Sequence, residues 1–402
     1  MTEIHKNINL NQYFSNLMSA DYTLTPEINI IDTDVDLEIY VVGDLEGHID
    51  LLYHFLLSKK FIDEELNWIA ADNVYLVQCG DQLDAGKGVK PRIILKDTDL
   101  AVVLFMDYLN IKSKNHVLSV LGNHEWMNVQ GQYHDAKDLG NSQYDNNNNR
   151  TKLFDYDTGL IAKIIKRRNF VIRIGRYLFC HGGITEFEIE EFIEATKEEG
   201  NTNLNRDNWN NDDVNKFVSR VNSEVMLKEN WKSNTVTDFF TTVLLDPIDA
   251  NYSKGILWER FLNQNKFSPL LEEYIIVTGH NSLYSINYCY NNPTVIINQD
   301  PNCEENPRKD EKPHMIMTDV VLRQYNYEKH KEYPILKFLL INNNILSDDE
   351  YTLTGDKQSF ELNGERILLD YLASQNQRGG YKYKYEKYKQ KYLNLKKILP
   401  KI

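Results

Sequence analysis

Five short polar segments lie along residues 43–281, each directly after an apolar run. GDLEGH occupies 43–48, GDQLDAG 80–86, GNHE 122–125, HGG 181–183 and TGHN 278–281. The runs before them, among them LEIYVV, NVYLVQC, HVLSVL, RYLFC and YIIV, are the kind of continuous apolar stretch that forms buried strands. Between the first three lie HIDLLYHFLLSKKF and TDLAVVLFMDYLNIKS, with apolar residues at helical spacing. Strand, loop, helix and strand therefore alternate. That predicts a layered α/β fold whose polar residues gather on the loops after the strands.

With 402 residues, 42% hydrophobic and 26% charged, the chain can bury a large core. No apolar run reaches the roughly 18 residues of a spanning helix, and MTEIHKNINLNQYF lacks the basic-then-apolar order of a secretory leader. A cytoplasmic protein with no membrane partner is expected. Cys79, Cys180, Cys289 and Cys303 form no CxxC pair and are expected as buried reduced thiols without a disulfide framework.

The net charge of −14 argues against nucleic acid as a partner. Charge is unevenly spread. Residues 376–402 hold Arg378, eight lysines and Glu386 as the one acid, a net +8, which leaves about −22 on the rest. In this tail Tyr381, Tyr385, Tyr388, Tyr392, Leu395 and Leu399 follow a 4-3-4-3-4 spacing, an apolar helical stripe among lysines. A basic tether, a helix docked on the acidic body and a self-association stripe are all open for it. The expected organisation is one catalytic domain over 1–375, a helical insertion at about 186–265, and the tail 376–402. Residues 145–149, 291–313 and 342–357 read as loops.

Asp44, Glu46, His48, Asp81, Asn123, His181 and His280 all fall at the ends of apolar runs. Carboxylates, an amide and imidazoles suit divalent metal ions, and a metal pair suits phosphoester hydrolysis. Gly43, Gly80, Gly122 and Gly182 permit the tight turns that bring ligands close. His124 adjoins a ligand candidate and is placed to protonate a leaving group. Asp84, three residues after Asp81, is placed to hold that imidazole.

The ordered motifs resemble the PPP-type branch of the calcineurin-like metallophosphoesterases, with the pattern GDxHG, GDxxDRG, GNHE, HGG and GH. The resemblance covers about 38–325. It implies an α/β fold, a four-layer sandwich in which two central mixed β-sheets lie between helical layers. It implies Asp44 as a ligand of a first metal, Asp81 as the bridging carboxylate, and Asn123, His181 and His280 as ligands of a second. His124 becomes the general acid, with Asp84 as its partner. The implied cofactors are two divalent ions: Mn, Fe or Zn.

Three departures stand out. Glu46 occupies the place of the family's first-motif histidine; it favours a hard ion such as Mn²⁺, and His48 competes for the role. Ala85 replaces the phosphate-binding arginine of GDxxDRG, with Lys87 and Arg92 nearby. Leu121 stands where eukaryotic protein phosphatases carry arginine, which resembles the bacterial-like branch. GILWERF at 255–261 is similar to a Leu-Trp-x-Arg segment of that branch, so Arg260 is the candidate phosphoryl-binding cation and Arg323 a second one. Trp126 and Trp258 are expected to pack rather than to stack on substrate.

The expected activity is phosphomonoester hydrolysis by a metal-activated water, with a phosphoprotein at Ser or Thr as substrate. A small phosphorylated substrate is the alternative: a dinucleoside polyphosphate or a nucleotide. A catalytically impaired binding scaffold is a rival from another class. The Tyr/Lys tail resembles those of large DNA viruses, which implies host cytoplasm or virion as the setting.

Overall fold

The computed structural model describes residues 27–32, 35–47, 49–84, 98–133, 147–199, 204, 206–225, 255–257, 267–280, 287–289, 303–304, 315–317, 334–341 and 344–352. In chain order its strands are β1 Ile30–Ile31, β2 Leu37–Val42, β3 Val74–Gln78, β4 Val117–Ser119, β5 Ile172–Ile174, β6 Tyr177–Cys180, β7 Ile275–Thr278, β8 Asn287–Cys289, β9 Cys303–Glu304, β10 Met315–Met317, β11 Pro334–Ile341 and β12 Asn344–Thr352. They form a five-stranded sheet, β12-β11-β2-β3-β4, and a seven-stranded sheet, β1-β5-β6-β7-β10-β8-β9. Both are mixed. β2, β3 and β4 run parallel while β11 pairs antiparallel with β2. β6, β7 and β10 run parallel, β5 is antiparallel to β6 and parallel to β1, and β8 is antiparallel to both its neighbours.

Side-chain alternation along β2 explains the layering. Leu37, Ile39 and Val41 enter an apolar layer between the sheets, with Val77, Leu118, Phe179 and Val277. Tyr40 and Val42 point the other way, onto Leu52, Phe55 and Leu56 of helix α1 (Ile49–Ser58) and Val102, Phe105 and Leu109 of α2 (Thr98–Lys112). A strand buried on both faces must be apolar throughout, which is why LEIYVV is a continuous run. A third cluster covers the outer face of the seven-stranded sheet. It joins Leu178 and Ile276 to Ile161 and Ile165 of the helix Leu160–Ile165, Ile189 and Phe192 of Glu186–Glu198, and Phe217 and Val221 of Asn211–Val225. Helix, sheet, sheet, helix is the four-layer arrangement expected from the motifs.

The 186–265 segment is helical at its start. Thr185 caps its first helix: Phe187 N–H donates to Thr185 Oγ1 at 3.2 Å, and Thr185 N–H donates to Glu188 at 2.7 Å. Such a box contributes about 1 kcal/mol. Asn222 then fastens the second helix to the edge of β5. Its Oδ1 accepts Phe170 N–H at 2.8 Å, and its Nδ2 donates to the Val171 carbonyl at 2.7 Å.

Three expectations are corrected. The 145–149 loop is partly helical, since a helix spans Asn147–Phe154. The 342–357 loop contains β12, and β11 beside it joins the central sheet although it lies beyond residue 325. Cys289 is disulfide-bonded, and the strand register sets it opposite Cys303; Cys79 and Cys180 are free and buried, as expected. Among the described residues no helix is long and apolar enough to cross a membrane. His48, Ala85, Lys87, Arg92, Trp258, Arg260, Arg323 and the tail 376–402 lie outside the described residues.

Candidate metal centre

Parallel pairing sets the ends of β2, β3 and β4 along one edge, so the loops after Val42, Gln78 and Ser119 meet there. In the other sheet Cys180 and Thr278 lie in register at the ends of β6 and β7. The loops along each edge are tied to one another. Leu45 and Glu46 N–H groups donate to the Asp81 carbonyl at 2.9 and 3.0 Å, and Gly279 N–H donates to the His181 carbonyl at 2.9 Å. Fold topology thus delivers all five motifs to one place.

Asp81, His181 and His280, all buried, bring ligand atoms within 4.8 Å of one another. His181 Nδ1 is held by the Cys79 carbonyl at 2.8 Å, which turns Nε2 towards Asn123 Oδ1 at 2.8 Å and Asp81 Oδ1 at 3.3 Å. A backbone carbonyl fixing one imidazole nitrogen so that the other faces the site is how metal-binding histidines are oriented. Asp44 closes the group from β2. Its Oδ1 accepts His280 N–H at 3.1 Å and lies 3.9 Å from His181 Nδ1. Glu46 is half-buried in the same turn and lies outside the tight cluster of Asp81, His181 and His280.

The donors, hard oxygens with two imidazoles, fit a divalent transition ion. Two glycines show how closely the backbone wraps them. A methyl group on Gly122 would sit 2.2 Å from Asp81 Oδ1, and one on Gly279 would sit 2.3 Å from Asp44 Oδ1. Neither contact is sterically possible.

Backbone strain gathers here too. Four of the eight described non-glycine residues with positive φ lie in motif loops: Glu46 at 39°, Asp81 at 52°, Asp84 at 67° and His280 at 59°. Each costs about 1–2 kcal/mol. Each also has its N–H held: Glu46 by the Asp81 carbonyl, Asp81 by Glu125, Asp84 by Asp99 at 3.0 Å, and His280 by Asp44.

His124 stands beside the cluster. Its Nδ1 donates to Asp84 Oδ2 at 2.5 Å, and its Nε2 lies 3.6 Å from Asp81 Oδ2. The carboxylate fixes the tautomer, because an ionised carboxylate only accepts. Burial would raise the Asp84 carboxyl, but His124 and Arg150 outweigh it and hold it below the usual range. Burial likewise opposes ionisation of Asp81, yet His124, His181 and His280 together hold its carboxyl far down. For His181, burial works to lower the pKa, but the Asp81 carboxylate, the Cys79 carbonyl and Glu125 together raise it.

Three residues escaped the sequence reading. Glu125, inside GNHE, takes N–H bonds from both ligand loops; its place in the motif was the available signal. Asn128 and Arg150 bond to Asp84 or to its partners, and no spacing announced them. Trp126 packs on Phe170, with ring centroids 5.8 Å apart.

The sequence profile of the calcineurin-like phosphoesterases matches residues 37–252, more than half of the chain. The protein belongs to that family, whose members hydrolyse phosphoesters with a dinuclear metal centre. Among solved structures, a cold-active protein tyrosine phosphatase is similar at a TM-score of 0.51 and 18% identity, over 84% of this chain and 82% of that one. The cold-active protein-tyrosine phosphatase of a psychrophile, Shewanella sp., gives 0.49 and 19%, over 83% of each chain. A protein serine/threonine phosphatase from Saccharomyces cerevisiae gives 0.45 and 13%, over 86% of this chain and 90% of that one. The first likeness establishes a shared fold. No curated protein matches the sequence.

Proposed function

We propose that the chain is a metal-dependent serine/threonine phosphoprotein phosphatase, with Mn²⁺ as the preferred ion. The observation that carries this reading is the convergence of Asp44, Asp81, Asn123, His181 and His280 next to a His124–Asp84 pair. Asp81 would bridge two ions, Asp44 would serve the first, and Asn123, His181 and His280 the second; Glu46 or His48 would complete the first. When bound, such ions neutralise phosphoryl charge and lower the pKa of water.

The chain's own residues do the rest. Asp81 accepts the His124 N–H at 3.0 Å, which locks the GNHE turn against the ligand cluster. Asp84 holds Nδ1 of His124 and leaves Nε2 to protonate the leaving oxygen. Arg260 would steady the transferring phosphoryl group in place of the arginine missing at Ala85.

The test is a comparison on one Mn²⁺-loaded preparation of phosphoserine, phosphothreonine and phosphotyrosine peptides with diadenosine tetraphosphate. Preference for the serine and threonine peptides is expected. Preference for the dinucleotide would replace the substrate assignment with a nucleotide one. If p-nitrophenyl phosphate turnover is the same in wild type, Asp81→Ala and His124→Ala, the chain is a binding scaffold.

A further inference from the structure

Arg150 is fully buried on the helix Asn147–Phe154. A buried guanidinium must be paired to persist, and its partners gather at one place. Nη2 pairs with Asp84 Oδ1, and Nε donates to Asn128 Oδ1 at 2.8 Å. Asn128 Nδ2 in turn donates to Asp84 Oδ2 at 3.1 Å and to the His124 carbonyl at 2.8 Å. Tyr133 and Phe154 rings flank the cation, with centroids 4.8 and 5.9 Å from its central carbon. A planar fork held at its edge and on its faces has one orientation.

The consequence falls on Asp84. One oxygen is taken by Arg150, and the other is shared by His124 and Asn128, so the carboxylate cannot rotate. A fixed carboxylate fixes the imidazole plane, and with it the direction of His124 Nε2. Arg150 is not among the residues that meet at the ligand cluster, and acts through others.

We propose that Arg150 is a positioning residue for proton delivery: through Asp84 it aims His124 Nε2 at the leaving oxygen. This rests on the phosphoester-hydrolase reading. In the step concerned, water oxygen forms the new P–O bond as the bond to the leaving oxygen breaks. The leaving oxygen takes the electron pair and the proton from Nε2, and the proton given up by water returns to the imidazole through solvent.

Such a role predicts sensitivity to the leaving group. An alkoxide or phenolate needs the proton, whereas p-nitrophenolate leaves without one. Arg150→Met should therefore lower kcat on phenyl phosphate and a phosphoserine peptide about 100-fold, in the range of general-acid effects. The fall on p-nitrophenyl phosphate should be under about 10-fold, with metal content by mass spectrometry unchanged. Arg150→Lys keeps the charge and loses the fork, so it should fall between wild type and Arg150→Met with the same selectivity. Guanidinium ion should partly rescue Arg150→Ala, and Arg150→Lys should have no further effect in a His124→Ala background.

Equal losses on all esters without guanidinium rescue overturn the proposal, as does Arg150→Lys matching wild type on every substrate. If Arg150→Met does not fold, the Arg150→Lys series alone decides. A wild type inactive on every ester overturns this inference and the functional reading together. A wild type that depends on His124, with leaving-group-independent Arg150 variants, overturns this inference alone.

Discussion

Replacing Glu125 by Gln should uncouple the two loops that hold Asp81 and Asn123. One carboxylate ties both. Its Oε1 accepts Gln82 N–H at 2.8 Å and Leu83 N–H at 3.3 Å; its Oε2 accepts Asp81 N–H and Gly122 N–H, each at 2.9 Å. A glutamine keeps one acceptor oxygen and turns an NH₂ group towards two backbone donors. Two charge-assisted bonds are lost, about 1.5–3 kcal/mol each, or about 3–6 kcal/mol together. Part of this is offset. Burial and then the nearby Asp81 raise the Glu125 carboxyl, so removing its charge relieves a standing cost. A net loss on the order of 2–4 kcal/mol follows. Whether the NH₂ group meets the Asp81 and Gly122 donors or the Gln82 and Leu83 donors, the loop that carries Asp81 loses part of its anchorage, so metal affinity should fall by about 10–100-fold. Urea unfolding and calorimetric Mn²⁺ titration on wild type and Glu125→Gln check both figures. A variant with wild-type stability and wild-type affinity would refute the idea that this carboxylate holds the loops.

Other outcomes follow from the same geometry. Gly279→Ala would set a methyl group 2.3 Å from Asp44 Oδ1 and 2.7 Å from the Cys79 carbonyl; metal affinity should drop by at least about 10-fold, measured by equilibrium dialysis. Asn123→Ala should weaken metal binding more than His124→Ala does, since Asn123 Oδ1 faces His181 Nε2 at 2.8 Å; metal content of the two purified variants decides. Glu27 gives a pH dependence. Burial, opposed by Arg168 and Arg167, raises its carboxyl from 4.5 to about 7. The folded state therefore holds a proton that the unfolded state releases earlier. The resulting stability is complete below pH 4.5 and lost as pH rises through about 7, a change of roughly 3 kcal/mol. Glu27→Gln should remove that part of the wild-type stability curve between about pH 5 and pH 8; an unchanged curve would contradict it.

How much of this was legible in sequence depended on whether one residue's neighbours are local. β2, β3 and β4 are buried on both faces, so their apolar runs stood out. β12 did not, because NILSDDEYT, the end strand of its sheet among the described residues, carries three consecutive acids that hide the strand pattern. The helix at Asn147–Phe154 opens in a run of asparagines, poor helix formers, and is fixed by its far end, where Leu153 and Phe154 enter the core. The ligand candidates were visible because each follows its own strand directly. Arg150 was not, since 66 residues separate it from Asp84 and no local pattern links them. The Cys289 disulfide was missed for a similar reason: it depends on the β8–β9 register, not on cysteine spacing.

On the reading proposed above, Asp44, Asp81, Asn123, His181 and His280 hold a pair of divalent ions. Calorimetric titration of the metal-free chain with Mn²⁺, repeated on His181→Ala, addresses it most directly. Saturable uptake of a metal pair per chain is expected for wild type, with loss of at least one ion in the variant. No stoichiometric uptake by a folded wild type, or identical uptake by both proteins, would contradict it.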